Sequence, residues 1–107
     1  MVASNAAVES VSSNLNNLFI ATGTAYFDGL AGYTGSRTTV TFPKAFPVDN
    51  PSVTITLNSE FEYWADINIV TTNTHSNSFE IAIWNASSHD IDKRINIDWQ
   101  AIYDGRN

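Results

Sequence analysis

The chain has 107 residues, 43% hydrophobic and 15% charged, with 11 acidic against 5 basic side chains and a formal net charge of −6. That length builds one domain with one modest core. The basic residues Arg37, Lys44, Lys93, Arg94 and Arg106 form no stripe, which argues against nucleic acid and membrane insertion, and the absence of cysteine excludes disulfides, thiolate metal sites and a cysteine nucleophile together.

No apolar run is long enough for a signal sequence or a membrane span. A chain of this kind working outside a cell is expected to be exported with something larger or released by lysis. Asn, Ser and Thr take the place of charge, a composition that suits short strands joined by turns.

Residues 1–20 read as a separate N-terminal segment. Val8, Val11, Leu15 and Leu18 are spaced 3, 4 and 3 apart with polar residues between them, an a/d seam that predicts a short coiled-coil helix over residues 3–19. So short a helix, carrying Asn14, Asn16 and Asn17, is marginal alone and needs partners. Self-association is the expectation; packing on its own domain is the alternative. Val and Leu mixed at the seam do not separate dimer from trimer.

Residues 21–107 read as the β domain, where the period changes to two. Strands are expected over residues 22–28, 37–42, 52–58, 65–72, 78–85 and 93–103, separated by loops at 29–35, 43–51, 73–77 and 86–92. Val53, Ile55 and Leu57 alternate with Ser52, Thr54 and Thr56, and Ile95, Ile97 and Trp99 with Asn96, Asp98 and Gln100. Sheets with one dry and one polar face result. The fold class is therefore all-β, a small six-stranded antiparallel sandwich.

Little in the chain supports catalysis. The two histidines, His75 and His89, fall in expected loops, and no Gly-x-Ser-x-Gly elbow is present. Glu60 and Glu62, or Asp90 and Asp92, lie two apart as paired carboxylates would, but alternating acids more commonly mark a solvated edge. His89-Asp90-Ile91-Asp92 gathers an imidazole and two carboxylates without the spacing of a known metal loop. No enzyme, metal or cofactor is expected. Asn85-Ala86-Ser87 is a formal glycosylation sequon, of a kind that an Asn- and Ser-rich chain produces by chance.

The aromatic residues are more informative. Tyr26, Phe27, Phe42, Phe46, Phe61, Phe79 and Trp99 are assigned to the core or its rim. In Phe79-Glu80-Ile81-Ala82-Ile83-Trp84, alternation sends Phe79, Ile81 and Ile83 inward and Trp84 outward. An outward tryptophan at the end of a strand calls for a ligand with an apolar face, such as a sugar ring, or for a covering subunit. Tyr63 and Trp64, just before a strand, are assigned to a subunit contact.

The order Val40-Thr41-Phe42, Phe46-Pro47, Pro51-Ser52-Val53-Thr54-Ile55, a polar strand from Asp66, Phe79, Trp84 and Ile97-Asp98-Trp99-Gln100-Ala101 resembles the H-type lectin domain. That family includes snail agglutinins and the C-terminal domain of the discoidins, and the likeness runs over residues 22–103. The resemblance implies a homotrimer of six-stranded sandwiches that binds N-acetylgalactosamine or galactose between neighbouring subunits, with Trp84 at the sugar site. Asn85 stands where the snail lectin has histidine, and Asp66 falls on or near an arginine supplied by the neighbouring subunit. His89 or Asp90 falls near a family tyrosine. Tyr33, in the loop after the first strand, and Arg37, opening the second, complete the candidate sugar-binding set. An Asp in place of Arg only accepts hydrogen bonds, so the sugar is open.

A short Ser- and Asn-rich heptad segment leading into a compact β domain looks like the distal end of a bacteriophage tail fibre. The expectation is a non-enzymatic, homotrimeric module on a phage tail, or otherwise extracellular, that recognises cell-surface glycans. The alternatives are a trimerising cap that binds nothing and a glycan-processing enzyme with carboxylates at the subunit junction.

Overall fold

A computed structural model describes residues 17–106. Six strands run in chain order as β1 (Leu18–Phe27), β2 (Gly35–Thr41), β3 (Ser52–Leu57), β4 (Ile67–Thr72), β5 (Ser78–Asn85) and β6 (Ile95–Asp104). They form two antiparallel three-stranded sheets, ordered β1-β6-β3 and β2-β5-β4.

The strand pattern explains the layering. The central strands β6 and β5 each receive a partner on both edges and turn an apolar face inward: Ile95, Ile97, Phe79 and Ile81 are fully buried. Burying each such side chain is worth about 1.5–3 kcal/mol. Phe42, Phe79 and Trp99 pack between the sheets with centroids 5.4–5.8 Å apart. Trp99 pairs with Gly23 across β1 and β6. A Cβ on Gly23 would lie 2.7 Å from Trp99 Cζ2, so the glycine makes the room that the indole fills.

Register fixes the polarity of the domain. Phe27 pairs with Ile95, Leu57 with Ile97, Gly35 with Trp84 and Ile67 with Asn85. The loops after β1, β3 and β5 therefore share one end. The loops after β2 and β4 share the other with Leu18 and Asp104, which pair together, and there Gly105 N donates to Asn17 O at 2.8 Å.

Four expectations need correcting or delimiting. The helix expected over 3–19 falls outside the described residues as far as residue 16, with Val8, Val11 and Leu15 in it. Leu18 is not a seam residue: Leu18, Phe19 and Ile20 extend β1 along the full length of β6, so the domain begins before residue 21. The strand expected from Ala65 begins at Ile67, because Trp64–Asp66 form a 3-10 turn. Tyr26, assigned to the core or rim, is 50% exposed on the outer face of β1, with the Arg94 guanidinium 3.9 Å above its ring.

Candidate functional site

Alternation in β5 has the consequence expected of it. Phe79, Ile81 and Ile83 are buried, while Trp84 is 46% exposed on the outer face of the β2-β5-β4 sheet. Its cross-strand partners are Gly35 on β2 and Asn68 on β4. An ideal Cβ on Gly35 would lie 3.0 Å from Trp84 Cε3, so the indole leans over a position that only glycine leaves open. The groove alongside has a volume of about 420 Å³ and is lined by Gly35, Arg37, Asn68, Val70, Ala82 and Trp84 among others.

Asn68 and Val70 were not among the sequence-derived candidates. The signal was available, because the period of two in β4 puts both on the face that β5 gives to Trp84. Val70 is 54% exposed. An aromatic platform thus lies beside an amide, a guanidinium and a short apolar strip. The lining includes no carboxylate.

Arg37 is held only loosely. Its Nη1 donates to Glu80 Oε1 at 3.4 Å, and its side chain is 64% exposed. The same carboxylate oxygen accepts from Asn73 Nδ2 at 2.7 Å and Thr72 Oγ1 at 3.2 Å. The Asn73 bond, then the Thr72 bond and the Arg37 charge hold the Glu80 carboxyl below its ordinary range, against partial desolvation. Other N–H groups of the guanidinium keep donor capacity for a ligand.

Asn85 must be moved from the sugar-binding set to the scaffold. It is fully buried, in phase with Ile83 rather than with Trp84. Its Nδ2 donates to the carbonyls of Leu30 and Ala31 at 3.3 Å each and of His89 at 2.8 Å. Its Oδ1 accepts from Ser87 N at 2.9 Å and Ser87 Oγ at 2.7 Å. Both functional groups are committed, so a neutral sugar finds nothing to bind there, and the sequon amide is inaccessible in the folded chain. What Asn85 does is tie the loop after β1 to the loop after β5.

The remaining candidates surround that junction. Tyr33, with φ of 54° and 63% exposed, stands out from the loop after β1, where its N–H donates to Ser87 O at 2.9 Å. Asp90 Oδ1 accepts from Gly32 N at 2.9 Å. The His89 ring stacks on Tyr63, with centroids 3.9 Å apart and planes 3° from parallel. Tyr63, assigned to a subunit contact, thus has a partner within its own chain. Desolvation, then the neighbouring Glu62 carboxylate, pushes the Tyr63 hydroxyl above its ordinary value. Within His89 to Asp92 the His89 ring, the Asp90 carboxylate and buried Ile91 are engaged separately, and no group of three or more metal-ligating side chains converges among the described residues. Asp66 is exposed at the foot of β4, and its backbone oxygen accepts from Ala86 N at 2.9 Å.

Solved structures share this architecture. The R1 pyocin fibre of P. aeruginosa (C-terminal residues 323–701) aligns with a TM-score of 0.65 and 17% identity, over 80% of this chain and 23% of that one. Discoidin II of Dictyostelium discoideum gives 0.65 and 15%, over 80% and 37%. The tailspike gp49 of Pseudomonas phage LKA1 gives 0.64 and 15%, over 81% and 15%. The chain therefore spans well under half the length of each of these. At such identities the likeness is one of fold, joining a discoidin to components of a fibre and a tailspike. No curated protein matches the chain. No helix among the described residues is long and apolar enough to cross a membrane. Residues 29–102 match the family model described as "tail fiber protein gp53-like, C-terminal", and with that match over more than half its length the chain belongs to this family of tail fibre C-terminal domains.

Proposed function

We propose that this domain is the receptor-binding module of a tail fibre, a homotrimer that recognises a neutral cell-surface glycan of the galactose or N-acetylgalactosamine type without chemical turnover. The observation that carries the reading is Trp84, half exposed on a central strand whose other face is core, in a groove flanked by Arg37 and Asn68. The indole offers an apolar platform, and the two polar side chains offer donors to sugar hydroxyls. Arg37, on the same face as Trp84 in its own chain, supplies the donor that Asp66 does not. Exposed Asp66 and Tyr33 stand near the loop end as further contacts, and a neighbouring subunit would close the site.

One stacking aromatic and a few hydrogen bonds bury little area, so affinity per site is expected to be weak and avidity across three copies to compensate. Glycan arrays on the intact oligomer test this. Trp84→Ala should abolish array binding while light scattering shows unchanged mass. Unchanged binding by the variant, or no binding by the wild type, sinks the reading.

A second reading draws on Val70, 54% exposed next to Ala82 and Trp84. This apolar strip suits burial between copies, with the domain acting as a cap that trimerises a fibre. In that case Trp84→Ala breaks the oligomer and no glycan binds at all. Turnover, the remaining alternative, would appear as new reducing ends on incubation with array-positive glycans.

A further inference from the structure

We infer that the β3–β4 loop carries a second sugar-binding site, in which Trp64 stacks on a neutral pyranose and Glu60 accepts hydrogen bonds from its hydroxyls. Trp64 is 58% exposed, more than Trp84 at 46% and far more than Trp99 at 7%. It stands beside a groove of about 730 Å³ lined by Leu57, Ser59, Glu60, Phe61 and Trp64. That size falls in the range of about 300–1,000 Å³ that holds small ligands.

The backbone that carries Trp64 is fixed before any ligand arrives. Trp64 N donates to Phe61 O at 3.3 Å and Asp66 N to Tyr63 O at 3.0 Å, closing the 3-10 turn. Tyr63 adopts φ of 70° and stacks on His89, and Asp66 O accepts from Ala86 N. Binding at the indole therefore requires little ordering of the backbone beneath it.

The chemistry of the groove selects the ligand class. Half-buried Leu57 and Phe61 join the indole as the apolar side. Ser59 Oγ is engaged, accepting from Asn96 N at 2.8 Å. Glu60 is exposed, and no hydrogen bond or ion pair engages its carboxylate among the described residues. A carboxylate next to an aromatic face, with no cation in the lining, repels anionic sugars and suits the vicinal hydroxyls of a neutral one. This site does not depend on the Trp84 reading. It also gives Trp64 a role other than the subunit contact suggested by its sequence position.

The three tryptophans give three indole N–H signals in a ¹H–¹⁵N spectrum of the full chain, assignable with Trp64→Phe and Trp84→Phe. Methyl glycosides of galactose, N-acetylgalactosamine, glucose and N-acetylglucosamine are the probes. At least one should shift the Trp64 signal saturably. Glu60→Gln should weaken that response about tenfold, the loss of a charge-assisted acceptor, and Trp84→Phe should leave it unchanged. No Trp64 shift with any of the four, or an undiminished one in Glu60→Gln, overturns the second site. So does a fall in oligomer mass on Trp64→Ala, which would make Trp64 a subunit contact. A shift confined to Trp84 overturns this inference while leaving the first site standing; a shift confined to Trp64 does the reverse.

Discussion

Replacing Asn85 by alanine should be among the most damaging single changes in the domain. The substitution removes five hydrogen bonds from a fully buried position, three to carbonyl oxygens and two from Ser87. Two of the five are long at 3.3 Å and count for less. A typical bond contributes about 1 kcal/mol net, and each buried group left without a partner costs about 1–3 kcal/mol. Ser87 Oγ keeps its bond to His89 O at 3.1 Å, which softens the loss. The expected cost is roughly 3–5 kcal/mol, a large fraction of the ~5–15 kcal/mol that stabilises a domain. For a domain of this size it corresponds to a fall in Tm of roughly 15–30 °C, read by far-UV circular dichroism at fixed protein concentration. Asn85→Asp is the control: it keeps the acceptor but aims a buried carboxylate at three carbonyls, so it should do no better than alanine. Ser87→Ala should cost less, about 1–2 kcal/mol. An Asn85→Ala variant within about 1 kcal/mol of wild type, or a stable Asn85→Asp, would refute the reasoning.

Gly23→Ala should cost about 1–3 kcal/mol by overpacking, because its Cβ would meet the Trp99 ring at 2.7–2.9 Å; denaturant titration reads the change, and a neutral variant would mean that Trp99 does not hold this position. Glu80 gives a pH dependence. Its carboxyl is held below the ordinary glutamate value of 4.5, so its contribution is present above that pH and is lost as pH falls through the lower folded-state value. Glu80→Gln should therefore be less stable than wild type at neutral pH, and the gap should close on acidification below about pH 4.5. Thermal melts across that range check it, and a gap that is constant with pH counts against the account.

The sandwich and the placement of Trp84 were legible because both follow from a period of two, which Phe79, Ile81 and Ile83 display without interruption. The same period placed Asn85 inward, but polarity suggested the surface, and only the tertiary fold shows the two loops whose carbonyls satisfy its amide. Leu18 misled for another reason. It fits a heptad spacing and a strand equally well, and pairing with β6, which lies far away in sequence, decided between them. The Tyr63–His89 stack joins residues of two different loops, and no local pattern announces it.

The pairing of Leu18 with Asp104, at the end away from the β1–β2, β3–β4 and β5–β6 loops, bears on how such a domain can evolve. The first and last strands of the sandwich start and finish in one small patch, so a transplant of residues 18–104 needs only one junction and leaves the contacts at the other end undisturbed. Loop substitutions at the opposite end, in turn, need not be compatible with whatever the junction joins. The loop end and the junction can therefore change separately, provided that Asn85 keeps the β1–β2 and β5–β6 loops in register.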